Sequence, residues 1–125
     1  MIWDFIYEGE FMGKPRMVRS DKWKKRAVTS KYWAMKDQIV LAAKKQQFGL
    51  SEQFIITFQI EMPKSWSEKK KKEMLGAGHR QRPDLDNLCK GLMDCLLKED
   101  SVVWQIHATK YWSDKNRISI HNIIT

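Results

Sequence analysis

The stretch Arg82-Pro83-Asp84-Leu85-Asp86-Asn87-Leu88-Cys89-Lys90 sets two carboxylates and an ammonium close together, and Glu99-Asp100-Ser101 adds further acids downstream. The chain as a whole carries a formal net charge of +8, so acids gathered beside a helix start call for an explanation. Carboxylate oxygens suit hard divalent cations such as Mg²⁺ or Mn²⁺. A cation so held polarises a phosphate and acidifies a bound water. Lys90, one helical turn beyond Asp86, can neutralise charge that develops on that phosphate. The chemistry these residue types fit is metal-assisted hydrolysis of a phosphodiester, once three of these carboxylates converge.

A plainer explanation competes with this one. Pro83 pushes Arg82 toward an extended conformation, which leaves Asp84 placed as a helix N-cap and Asp86 in the first turn. Aspartates at helix starts accept orphan N–H bonds and suit the positive end of the dipole. On Asp84 and Asp86 alone, capping and metal binding stand level, because Asp-x-Asp is a weak motif. Asp86, Lys90, Asp94 and Lys98 also read as an i, i+4 ladder on an exposed face. Glu99 and Asp100 tip the balance. Two acids at a helix C-terminus oppose the dipole, so a cation or a tight Asp-Ser turn must compensate.

Periodicity supplies the elements that would position these groups. Ile2 to Tyr7 reads as a strand, and a run from Thr29 or Ser30 to Phe48 reads as a helix stopped by Gly49. Phe54 to Met62 alternates as a half-buried strand, ended by Pro63. Ser65-Trp66-Ser67-Glu68 has the form of a capping box opening a short helix to Leu75, with Lys69 to Lys72 on its solvated face. Gly76-Ala77-Gly78 then starts a flexible loop carrying His79, Arg80 and Arg82. Leu85, Leu88, Cys89, Leu92, Met93 and Leu96 fall at helical spacing, which predicts a core-facing helix near 85 to 98. Val102 to Tyr111 alternates as a strand, and Arg117 to Ile124 is expected as its hairpin partner across Ser113–Asn116. The expected fold is α+β: one small domain over residues 1–125, a mixed sheet packed with helices.

Composition bounds the partners. Hydrophobic residues make up 42% of the 125, enough for one core, and no apolar run approaches a membrane span. No signal-peptide pattern is visible at Met1–Phe5. Cys89 and Cys95, six apart on one helix, cannot easily bridge, so a reducing cytoplasm is expected. Lys14, Arg16, Arg19, Lys22, Lys24, Lys25 and Arg26 face only Asp21 in their stretch, with Trp23 among them. That clustering predicts a surface that grips nucleic-acid phosphates. Arg80 and Arg82 extend it toward the acids. His79 is expected to be a solvated loop residue, His107 and His121 structural or surface residues, and both cysteines core residues. Trp3, Trp33, Trp66, Trp104 and Trp112 are expected in the core or an interface. There is no P-loop, dinucleotide fingerprint or visible nucleophile triad.

The motif as a whole resembles the signature of the RusA family of Holliday-junction resolvases. The family pattern runs Arg-x-Asp-hydrophobic-Asp-Asn-Leu-x-Lys, a helix with an internal Asp, then Asp-Asp-Ser leading into a strand. Gly13-Lys14-Pro15-Arg16-Met17, Asp21-Lys22-Trp23-Lys24-Lys25-Arg26 and Met62-Pro63-Lys64-Ser65-Trp66-Ser67 also resemble segments of phage members. The resemblance implies a homodimer that cuts four-way DNA junctions by paired nicks with Mg²⁺ or Mn²⁺. The family carboxylates fall on Asp84, Asp86 and Asp100, and the family lysine on Lys90. Glu99 stands where the family's first Asp of the pair does, so either Glu99 or Asp100 can be the third ligand, the Asp-Ser step favouring Asp100. A non-catalytic branched-DNA-binding protein, or a nuclease for flaps or forks, is the alternative.

Overall fold

A computed structural model describes residues 3–16 and 27–123. Its order is β1 (Asp4–Glu8), α1 (Ala27–Lys45), β2 (Gln53–Glu61), α2 (Glu68–Met74), α3 (Leu85–Leu96), β3 (Gln105–Ser113) and β4 (Arg117–Asn122), with a 3-10 turn at Asp100–Val102 before β3. Among the described residues three helices and one four-stranded mixed sheet make the expected α+β domain. No helix among the described residues is long and apolar enough to cross a membrane.

The alternation of β2 sets the sheet's two faces. Phe54, Ile56 and Phe58 are buried, and register places them beside Asn122, Ile120 and Ile118 of β4. Phe5 of β1 continues that row through Ile120. Tyr32, Met35, Ile39 and Ala43 of α1 and Leu88, Cys89, Leu92 and Cys95 of α3 close over this face as one core. Each fully buried leucine or phenylalanine contributes about 2 kcal/mol of burial. Burial also pushes the thiols of Cys89 and Cys95 up to about 11, as befits inert core residues, and neither is in a disulfide.

The strand order is β1-β4-β2-β3, which corrects the expected hairpin. β3 runs parallel to β2, and β4 pairs antiparallel with β2 on its other side. The turn after β3 crosses the end of β2, where Asn116 Oδ1 accepts the Glu61 N–H at 2.9 Å. Alternation reports which face a residue takes and says nothing about which strand is its neighbour.

Local chemistry moves several boundaries. Thr29 lies inside α1, buried, so it is not the cap. α1 ends before Gly49, with Gln47 at φ 54 in the left-handed region, Gln47 N–H on the Lys44 carbonyl and Phe48 N–H on the Ala43 carbonyl. That is a Schellman ending built on glutamine instead of glycine. Ser67, not Ser65, caps α2 by accepting the Lys70 N–H. α2 buries no residue, so its lysines are a solvated face as expected. Of the described tryptophans only Trp112 is buried; Trp3, Trp33 and Trp104 are exposed, and Trp66 half-covers Trp112 at 4.7 Å between ring centroids. The core expectation therefore fails for the three exposed ones.

Candidate active site

Leu85, Leu88 and Leu92 turn inward, and this fixes which side of α3 meets solvent. Asp86 and Lys90 lie on that outer side, both exposed. Asp84 holds the N-cap position with extended backbone (φ −68, ψ 143), and its carbonyl accepts the Leu88 N–H. Its side chain makes no capping bond. The plain explanation of Asp84 as a cap therefore fails, and the exposed carboxylate is left for another partner. Asp86 Oδ1 accepts the adjacent Asn87 N–H at 2.9 Å.

Glu99 and Asp100 divide their roles at the 3-10 turn. Glu99 Oε1 accepts the Ser101 N–H at 3.2 Å and so caps the turn. Asp100 is exposed at the turn's first position. Among the described residues, no group of three or more His, Cys, Asp or Glu side chains is gathered closely enough to hold a metal ion. The donor set has the right chemistry for Mg²⁺, since it is all hard oxygen. Among the described residues Asp84, Asp86 and Asp100 are not drawn together into one array.

Cations surround the start of α3. Lys14, Pro15, Arg16, Asn87 and Lys90 line an open cleft of about 520 Å³. Arg82, Pro83, Asp84 and Asn87 line a second, of about 460 Å³. Asn87 belongs to both, so one continuous polar surface runs from Arg82 and Asp84 to Lys90 and Arg16. Arg80 is exposed on the preceding loop. The expected contacts Arg19, Lys22, Lys24, Lys25 and Arg26 lie outside the described residues. A more apolar groove of about 380 Å³, between Glu10–Met12 and α1, is lined by none of these acids.

Two segments deliver these groups. The Met12–Lys14 arm crosses α3 so closely that a Cβ on Gly13 would strike the Asn87 side chain, and one on Gly91 would lie 3.0 Å from the Lys14 nitrogen. Both glycines are buried for that reason. The other segment, expected to be a flexible loop, is instead bonded along β3. Gly76 N–H donates to the Trp112 carbonyl, Trp112 N–H to the Ala77 carbonyl, and His79 N–H to the Lys110 carbonyl. Lys110 Nζ then donates to the Gln81 carbonyl at 2.6 Å and the Pro83 carbonyl at 2.7 Å, clamping the backbone that leads into Asp84.

His79 corrects another expectation. It is 5% exposed, its ring 4.3 Å from that of Trp112, and Nδ1 is buried without a partner. Desolvation first, then the charge of Lys110, lowers its pKa from the ordinary 6.5. Asp94 is also no rung of an exposed ladder. Its partners are Tyr32, Lys14 and Lys36, from other segments of the fold. Lys110 carried no signal in sequence. Asn87 stood inside the quoted motif, and its closeness to Gly13 was the missing part.

Acids at a helix start, between clefts lined by lysine and arginine, make the equipment of an enzyme that cuts a polyanion's phosphodiester backbone: a nuclease. The family model for endodeoxyribonuclease RusA matches residues 8–122, and the chain belongs to the RusA family of Holliday-junction-resolving endodeoxyribonucleases. No curated protein matches it.

Proposed function

We propose that this nuclease cuts four-way DNA junctions as a homodimer in the cytoplasm, by paired symmetric nicks, with Mg²⁺ or Mn²⁺ held by Asp84, Asp86 and Asp100. The observation that carries this reading is the exposed Asp84 carboxylate, free of any capping bond, on a surface shared with Lys90 and Arg16 through Asn87. The acids stand apart in the chain alone, so the cation itself would draw them together. Bound there, Mg²⁺ supplies charge neutralisation at the scissile phosphate and an acidified water.

The remaining work falls to the chain's own residues. Lys90 offers an ammonium to a non-bridging phosphate oxygen one turn from Asp86, where negative charge builds in the transition state. Lys14 and Arg16 hold the strand from the opposite wall, and Arg82 flanks Asp84. Arg19, Lys22, Lys24, Lys25, Arg26 and Arg80 extend the grip along the arms of the junction. Such contacts give affinity and position and carry little base information. Two copies would present two sites, one for each nick.

The test compares a mobile four-way junction, a flap and a linear duplex of shared sequence, each with Mg²⁺, Mn²⁺ or EDTA. Wild type should nick the junction symmetrically and only with metal, while Asp86→Asn binds it without cutting. Equal cutting of linear duplex, or full activity of Asp86→Asn, would overturn the assignment.

A further inference from the structure

Asp94 lies on α3 one turn beyond Lys90, and the acid set described above makes no use of it. It is about a third exposed, and its carboxylate has three partners. Tyr32, fully buried on α1, donates its hydroxyl to Oδ2 at 2.6 Å. Lys14 Nζ bonds Oδ1 at 3.2 Å, and Lys36 Nζ lies 3.7 Å from Oδ2. Burial works to raise the Asp94 carboxyl, but the Tyr32 bond, the Lys14 bond and the two lysine charges outweigh it. The net result is a carboxyl below its ordinary 3.8. The carboxylate is thus charged, and held in a fixed position by a hydroxyl that has no freedom to move.

Lys14 is the partner with a second task, since it also lines the cleft with Arg16, Asn87 and Lys90. Its backbone is set by the close approach to Gly91 and its ammonium by Asp94. A free lysine head explores many rotamers, and fixing it costs side-chain entropy that the Asp94 bond meets before any ligand arrives. An ammonium has three donors; Asp94 takes one and leaves two for a ligand.

We propose that Asp94 is a positioning residue for DNA binding: with Tyr32 behind it, it holds Lys14 so that the ammonium faces the cleft it shares with Lys90 and grips a phosphate of the bound strand next to the one that Lys90 meets. This rests on the reading of that cleft as a DNA surface. Asp94 brings a negative charge close to a phosphate, so its presence is useful only if ordering Lys14 outweighs the repulsion it adds.

The experiment measures junction binding in EDTA across a salt series, for wild type, Asp94→Asn, Tyr32→Phe, Lys14→Met and the Lys14→Met/Asp94→Asn double variant. Melting temperatures and the kcat and KM of cleavage are taken alongside. Asp94→Asn keeps an acceptor for Tyr32 but drops the charge that holds Lys14. It should weaken binding about tenfold and shallow the log–log salt slope by about one, the signature of a lost phosphate contact. Lys14→Met should do the same, and the double variant should bind no more weakly than either single one. Tyr32→Phe should lose about threefold, because Asp94 keeps its charge and loses only the hydroxyl that fixes it. In Asp94→Asn, KM should rise while kcat at saturating junction stays within about twofold of wild type.

If Asp94→Asn binds as tightly as wild type or tighter while Lys14→Met is weakened, Asp94 is only an acidic neighbour and the inference falls. If kcat falls along with the melting temperature in Asp94→Asn, its role is structural and the inference falls as well. An unchanged salt slope in Lys14→Met would instead remove the cleft from the DNA surface, which is a failure of the underlying reading.

Discussion

The loop that leads into Asp84 reaches α3 along the edge of β3, fixed by backbone hydrogen bonds at Gly76, Ala77 and His79 and by Lys110 on two carbonyls. The arm that carries Lys14 and Arg16 reaches the middle of α3 by other means. It has the two glycine contacts, a Met12 N–H to Met35 Sδ approach of 3.1 Å, and the charges around Asp94. Hydrogen bonds to neutral carbonyls are little affected by salt, whereas an ion pair about a third exposed is screened by it. The acid side of the site is therefore held rigidly, and the cation side adjustably. That division suits a substrate whose scissile phosphate must be placed closely while its arms arrive at varied angles.

The comparison breaks most sharply at Lys110. Lys110→Met removes the donor from the Gln81 and Pro83 carbonyls and frees the approach to Asp84. Cleavage should fall about 100-fold, the usual cost of a misplaced catalytic group, with junction binding retained at every salt concentration. Single-turnover cleavage beside a gel shift reads both. An equal loss of binding would mean that the loop supports the whole surface and not only the acids.

Gly91→Ala probes the arm and should have a smaller effect. The new methyl would meet the Lys14 nitrogen at 3.0 Å and the Met12 carbonyl at 3.3 Å, both backbone atoms that move only if the arm moves. Alanine's helix preference, about 1 kcal/mol over glycine, offsets much of the strain. The melting temperature should therefore change little, while junction affinity drops about fivefold as the arm lifts, at the low end of overpacking costs. A large fall in stability with unchanged affinity would show that the arm's docking does not serve binding.

The smallest effect separates the two regions by pH. His79 has a folded pKa below its ordinary 6.5, so the native chain resists a proton that the unfolded chain takes up. Stability falls as pH drops through 6.5, and the full loss is reached below the lowered folded value. Asp94 has a folded pKa below 3.8, so its contribution is fully present above 3.8 and is lost only on further acidification. From pH 7.5 to 5.5 the melting temperature should slip in wild type, and His79→Leu should flatten that slope. An unchanged slope in His79→Leu would assign the drop to another group.

The sequence was most legible where a single element explains its own pattern. β2 and α3 were visible because alternation and helical spacing report burial directly. The hairpin expectation failed at Ser113–Asn116 because a turn-forming sequence cannot say that another strand lies beneath the turn. His79 was misread because a glycine-flanked loop looks mobile until the edge of β3 pairs with it. For the site, the identity and order of Asp84, Asp86, Lys90 and Asp100 were plain, but the unused cap at Asp84 and the capping role of Glu99 depend on three-dimensional bonding. Asp94 shows the same limit. An i, i+4 rule sees Lys90, and cannot see Tyr32 some sixty positions earlier.

The crossing of β2 by the last turn has a consequence for assembly. Among the described strands β4 is the only sheet partner of β1 and also the second partner of β2, so it ties β1 to the centre. Asp4 and His121, paired side by side at 2.6 Å, stand 117 positions apart. During synthesis β1 and β2 can hold no common sheet until Arg117–Asn122 has left the ribosome, and closure across so long a separation is slow. The candidate site, whose helix α3 packs on that sheet, is thus completed only after Arg117–Asn122 is in place.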